Sequence, residues 1–469
     1  MSTEQNPAAP AAPTTDGAEP TTTAPRYLGA GAEPDPATAV TLTGPVPAHL
    51  PQRLTITLWD FSWYTRAEPG GPFADLDAAC ARAADLGYNA IRICAAPLLL
   101  FSGLEFERRP LDALAGDLEI EGLGPSPRGG FFGQRTRWYD APGGYRLDLR
   151  DRLLELFEAA ERHGLVVVLA SWEYQQSPAF ARSSHWFEAI DAVPLSLRYA
   201  LLGASWNRMI DFLTEAGHRA TIALVELHNE VDFSILPPLG EGADAGTGGA
   251  AEVVRLRRAH PDLLITASYG KPPHLAMHQV PEGLGAAQFH VYSYGVLDAL
   301  QKLVDIRSEG SEGFPNTMLA SLLLPDAPTP AEYGRAASWK YRATVVTDQM
   351  IYGYDWIDPT AWDRWLDDHY EPYREVMRRE IESRVIAIAE WARWKGVPAV
   401  VGEGWIGYTP LHGTFEEGPV GRALAEHGIR TALDHGVWGM VLCSNAAPHH
   451  PMWADERWQR EMNREILGR

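Results

Sequence analysis

The chain has 469 residues, 45% of them hydrophobic, and a formal net charge of −21. That length suits two average domains or one large barrel with insertions. Such an acidic surface argues against nucleic acid and anionic membrane as main partners, because both require basic patches, and it suits a neutral or cationic small molecule or polymer.

Residues 1–50 open with "MSTEQNPAAPAAPTTDGAEPTTTAP" and are rich in Ala, Pro and Thr. This composition predicts a disordered tail. It has neither the basic nor the apolar region of a secretory signal, and no run in the chain is apolar for long enough to span a bilayer. A cytoplasmic location is therefore expected. Cys80, Cys94 and Cys443 are too few for a disulfide framework and match no metal spacing, so buried free thiols are expected.

From residue 51 short β-like runs alternate with helical ones. "LTITLW" (54–59) is the first strand. "FADLDAACARAADLG" (73–87) follows, with Leu76, Ala79, Cys80 and Ala83 at helical spacing and Gly87 placed to stop the helix. "YNAIRICAAP" (88–97) is the second strand, "RDRLLELFEAAERHG" (150–164) the next helix, and "LVVVLAS" (165–171) the third strand. A helix around 195–217 precedes "TIALVELHNEVDF" (221–233), whose aliphatic run is the fourth strand. "AEVVRLRRAH" (251–260) leads to "DLLITAS" (262–268), and "AAQFHVYSY" (286–294) is the sixth strand. A long helix over 373–396 precedes "PAVVGEG" (398–404), and another over 421–436 precedes "VWGMVLCS" (437–444). A last helix is expected over 455–467. Strict alternation implies parallel strands joined by helical crossovers, and eight such units predict an α/β fold, a closed (β/α)8 TIM barrel over 51–469. An open doubly wound sheet is the alternative, but no GxGxxG follows the first strand. Segments 98–148 and 295–371 exceed ordinary loops; they follow strands two and six, and should overhang the C-terminal barrel face.

In such a barrel the chemistry sits at the C-terminal strand ends. The fourth strand ends in Asn229-Glu230, the seventh in Glu403, the sixth in His290-Val-Tyr292, and the second carries Arg92. The first ends in Trp59-Asp60 and the eighth in Ser444-Asn445. Glutamates on strands four and seven face each other across the mouth, and two carboxylates roughly 5 Å apart suit double displacement at a glycosidic bond. Arg92 would hold the nucleophile ionised, Tyr292 would orient it, and Asn229 would bond a sugar 2-hydroxyl. Glu226 shares the strand parity of Glu230 and is read as a buried partner of Arg92 or His228. Trp59, Trp63, Trp172, Trp405 and Trp453 are candidate platforms for sugar rings, at least two of which should line the cleft.

"AIRIC", "LHNE", "FHVY" and "VVGEGW" occur in the order and positions that resemble clan GH-A retaining glycoside hydrolases, and within that clan the cellulase-like family. The resemblance implies Glu230 as acid/base and Glu403 as nucleophile. It implies a carbohydrate substrate and carboxylate chemistry without a metal or other cofactor. Two departures stand out. The family commonly has a histidine ending strand three, where this chain has "SWEYQQS" (171–177), and a tryptophan directly after strand eight, where this chain has "SNAAPHHPMW". Three other functions are weighed. A transglycosidase uses the same two glutamates. A non-catalytic sugar-binding barrel would usually lack one of them. A metal-dependent barrel hydrolase needs a ligand cluster that "LTITLWDFSW" does not supply. No oligomeric state is read from the sequence.

Overall fold

A computed structural model describes residues 40–240, 248–310, 312–407 and 410–468. Its barrel strands are β1 (Leu54–Asp60), β2 (Ala90–Cys94), β3 (Val166–Ala170), β4 (Ile222–Glu226), β6 (Ala287–Ser293), β7 (Ala399–Ile406) and β8 (Gly439–Val441). The fifth position, β5, is split into Ile265–Thr266 and Ser268–Tyr269 around Ala267. Every neighbouring pair is parallel, and β8 pairs with β1 at Leu54↔Gly439. The first half of β5 pairs with β4 and the second with β6, so this broken strand closes the ring. The fold is the predicted (β/α)8 barrel.

Each strand is buried on both faces, as parallel strands under helices must be. The outer helices start where the sequence offers a cap. Asp75 accepts from Ala78 N, and Asp148 from Arg150 N and Asp151 N. One unit departs from strict alternation. Between β5 and β6 the chain makes only a 3-10 segment, His274–Gln279, with a kink at Ala276. Pro272, Pro273 and Pro281 flank it and leave no room for a longer helix.

The predicted tail falls into two parts. Residues 1–39 lie outside the described residues. Residues 40–50 correct the expectation, because they are built onto the N-terminal barrel face: Thr43 N donates to Gly436 O at 3.1 Å, Thr43 Oγ1 donates to Val397 O at 2.9 Å, and Leu50 is buried. A Pro- and Thr-rich composition hid a segment held by main-chain hydrogen bonds.

The first insertion carries two short helices, Pro97–Phe101 and Leu111–Ala115, and two small antiparallel strand pairs; the second carries six short helices between Gly295 and His369. Asp355 of the second accepts from Gly133 N (2.7 Å), Arg135 N (2.8 Å) and Thr136 Oγ1 (3.3 Å) of the first, and from Tyr333 OH. Lys340 Nζ is buried and donates to the carbonyls of Gly122, Ala179 and Ala181. The three cysteines are buried free thiols. Among the described residues no helix is long and apolar enough to cross a membrane.

Candidate active site

The β6–β7 register sets the centre of the site. It pairs His290 with Glu403 after a one-residue shift that inserts Gly402 on β7. A Cβ at Gly402 would sit 1.9 Å from Gln288 Nε2, so a larger residue there would push the Gln288 amide off Glu226. Four residues past the end of β4 the chain turns at Glu230, whose φ is +43°. Just before it, Tyr174 N donates to His228 Nε2 at 3.1 Å, so the ring proton lies on Nδ1 and faces Asn229 O. Burial pushes His228 down to about 3 and keeps it neutral.

These turns bring Glu230, His290 and Glu403 together, with one nitrogen or oxygen atom of each lying within 4.8 Å of those of the other two. Arg92 is fully buried. Its Nε and Nη2 grip Glu226 at 2.7 and 2.8 Å, and its Nη1 reaches Glu403 Oε1 at 2.8 Å. Its Nη2 also donates to Asn229 Oδ1 at 2.6 Å. Tyr292 OH donates to Glu403 Oε2 at 2.9 Å and lies 2.7 Å from Ser444 Oγ. His290 Nδ1 lies 2.8 Å from Glu230 Oε1 and 3.6 Å from Glu403 Oε2. Gln175 Nε2 donates to Glu230 Oε2 at 2.8 Å.

Burial raises both carboxyl groups above the ordinary glutamate range. The opposing influences differ. A neutral amide, Gln175, is the strongest on Glu230; His290 and the Arg92 guanidinium act on Glu403. Arg92 and Tyr292 both donate to Glu403, which favours its ionised form, whereas Glu230 faces an amide and an imidazole. Burial pushes His290 down to about 4 despite the nearby Glu403, so its ring is neutral near pH 7.

A cavity of about 820 Å³ opens above this cluster. Glu230, Glu403, Tyr292 and Trp172 line it, together with Trp138 and Gln175. Of the five candidate tryptophans only Trp172 belongs to it, stacked under Arg92 with the guanidinium carbon 4.6 Å from the ring centre. The others are corrected. Trp59 is the bulged residue of β1, so its ring turns outward and meets Phe73 edge-on at 5.1 Å. Trp63 is buried and donates to Cys94 O. Trp405 covers Gly428 of the outer helix Pro419–Asp434 and donates to Leu442 O at 3.1 Å. Trp453 stacks on Tyr88 at 5.8 Å. His449 and His450 pack ring to ring, and His449 Nε2 lies 3.4 Å from Asp60 Oδ2. Glu173, in the place of the family histidine, accepts from Leu98 N and Leu99 N at 2.8 Å; it caps a helix outside the cavity.

Sequence reasoning missed Gln175 and Trp138 as site residues and gave Ser444, at the end of the eighth strand, no role. "SWEYQQS" held the signal for Gln175, because a glutamine just past a strand end needs a polar partner. Trp138 comes from an irregular insertion that carries no periodic signal.

Gly270 offers a test of the site's packing. A Cβ there would stand 2.6 Å from Glu230 Cδ and 2.5 Å from Phe233 Cδ2. Gly270→Ala should displace the Glu230 side chain, and a crystal structure of the variant with Glu230 unmoved would show that Phe233 yields instead.

Residues 56–230 and 335–467 match the family model "Sugar-binding cellulase-like". A barrel with this cluster at its mouth is a glycoside hydrolase in class. The chain belongs to the cellulase-like family. No curated protein matches its sequence. Among solved structures, a candidate glycoside hydrolase from Parabacteroides distasonis ATCC 8503 is 19% identical, with 89% of this chain and 94% of that chain covered and a TM-score of 0.60. A glycoside hydrolase family 5 mannosidase from Rhizomucor miehei is 11% identical, with 92% and 97% covered and a TM-score of 0.43. The likeness to the first supports the barrel fold.

Proposed function

We propose that this protein is a retaining hydrolase of O-glycosidic, β-linked bonds in glycosides or oligosaccharides. One observation carries the reading: a carboxylate oxygen of Glu230 lies within 4.8 Å of one of Glu403. Retaining pairs stand about 5 to 5.5 Å apart, and inverting pairs about 6.5 to 9.5 Å. In the first step Glu403 attacks the anomeric carbon while the glycosidic C–O bond breaks. The proton of Glu230 passes to the leaving oxygen. In the second step Glu230 takes a proton from water, whose oxygen displaces Glu403 from the anomeric carbon. Arg92 and Tyr292 stabilise Glu403 as it regains its charge, and Trp172 offers an apolar face to the sugar ring.

Proton NMR of the first-formed anomer tests this directly. A β-glycoside should release the β-anomer, and first release of the α-anomer would sink the double displacement. The activity profile should also lie above the ordinary carboxylate range, because both groups are raised. Its acid limb belongs to protonation of Glu403 and its alkaline limb to ionisation of Glu230. Glu230→Gln should abolish the alkaline limb on an activated aryl glycoside.

A second reading has one observation in its favour. Glu230, His290 and Glu403 form the one group of His, Cys, Asp or Glu among the described residues that is close enough to surround a metal ion. An ion there would have to displace the 2.8 Å contact between His290 and Glu230. Turnover unchanged after exhaustive chelation supports the carboxylate mechanism. Loss of turnover, restored by a divalent ion, supports the metal.

A further inference from the structure

The hydrogen bonds around Glu230 run as a chain with a fixed direction. Arg92 carries only donors, so the atom of Asn229 that faces it at 2.6 Å must be the carbonyl Oδ1. The amide Nδ2 of Asn229 then points the other way and donates to Gln175 Oε1 at 2.7 Å. That leaves Gln175 Nε2 as the group that meets Glu230 Oε2, at 2.8 Å. No amide along this path can be flipped without setting donor against donor or acceptor against acceptor. The path begins at the arginine that holds Glu403 and ends at Glu230.

We propose that Gln175 is a positioning residue: its Nε2–H fixes Oε2 of Glu230 as a standing acceptor, so the proton Glu230 transfers is carried on Oε1. This rests on reading Glu230 as the acid/base. Oε1 is the oxygen that faces His290 Nδ1 and, across it, Glu403; a proton on Oε1 requires the neutral His290 ring to carry its own proton on Nε2, with Nδ1 accepting. An unanchored carboxyl would divide its proton between two oxygens, one of them pointing at Gln175. An amide suits the task because it neither gains nor loses a proton over the working pH range. Gln175 is 6% exposed and lines the cavity, so it holds Glu230 from the side rather than from the solvent.

The test measures the Glu230 carboxyl itself, without relying on turnover. Protein labelled with 13C at the glutamate δ-carbon is titrated by NMR, and the Glu230 signal is assigned as the one missing in Glu230→Gln. Gln175→Met removes the N–H donor at nearly the same length. It should raise the Glu230 midpoint by about one to two pH units, the share of a hydrogen bond to a charged group. Gln175→Glu keeps the shape but faces Glu230 with an acceptor, and should raise the midpoint as well. It carries the test if the methionine variant fails to fold. An unchanged midpoint in both variants overturns the proposal and leaves Gln175 as packing. The kinetic arm uses 2,4-dinitrophenyl and phenyl β-glycosides of gluco, manno, galacto and xylo configuration. There the alkaline limb should move upward, and kcat on the phenyl glycoside should fall about tenfold more than on the dinitrophenyl one. A moved midpoint with Glu230→Gln fully active would keep the contact but discard Glu230 as the acid, and with it the proposed role of Gln175 in proton transfer.

Discussion

Glu403→Ala is expected to abolish turnover of every glycoside, by a factor on the order of 10^4 to 10^6, because the group that forms the covalent intermediate is gone. Azide should then attack from the vacated face and give a glycosyl azide of inverted configuration. Glu230→Ala should behave differently. On poor leaving groups it should lose about 10^2- to 10^4-fold, the range of general acid catalysis, while an activated aryl glycoside keeps much of its first step. Its second step slows because water has lost its base, and azide should restore it with retained configuration. The stereochemistry of the two azide products therefore assigns the roles. Swapped configurations would reverse the assignment, and full activity in either variant would make that residue structural. The asymmetry rests on Arg92 and Tyr292 both donating to Glu403, whereas Glu230 meets an amide and a neutral imidazole.

Arg92→Ala should cost both stability and activity. Glu226 is fully buried, and the variant would strip it of its two-pronged partner. Gln288 Nε2, at 3.0 Å, would be left as its side-chain donor among the contacts described. Removing one member of a buried pair costs about 3 to 5 kcal/mol, because the remaining charge has lost its compensation. Urea unfolding of Arg92→Met/Glu226→Met separates the two effects. Replacing the whole pair with apolar side chains should recover most of the lost stability, yet activity should stay low because Glu403 has still lost Arg92. A double variant as unstable as the single one would show that the ion pair is not the source of the loss. Undiminished activity in either variant would show that Glu403 does not depend on Arg92.

Much of the barrel was legible because parallel strands covered on both faces read as unbroken apolar runs. "LVVVLAS" and "PAVVGEG" fall on β3 and β7 for that reason. The polar residues closing β2, β4, β6 and β7 converge as expected, since strand order fixes which ends face each other. Glu226 grips Arg92, as its strand parity implied. What failed was finer than the strand pattern. A single-residue bulge in β1 turns Trp59 out of the cleft, and a period-two pattern cannot register one extra residue. Trp405 and Trp453, candidate platforms for a sugar ring, instead pack in the outer layer, on Gly428 and Tyr88. Trp138 and the contacts between the insertions come from irregular backbone, where no periodicity exists to read. The helix absent between β5 and β6 shows the same limit, with prolines overriding the expectation set by fold symmetry.

The clasp that Asp355 and Lys340 make between the two insertions has a consequence for how the walls of the cleft can be exchanged. Four donors from two chain segments converge on Asp355, and three carbonyls from two segments converge on Lys340. The insertions are therefore not interchangeable modules. Transplanting the second alone would strand the buried Asp355 carboxylate without three of its donors, and transplanting the first alone would strand the amides that bind it. They have to be inherited, grafted or unfolded as a pair, and the amide protons of Gly133 and Arg135 should exchange with solvent at a common rate set by that joint opening.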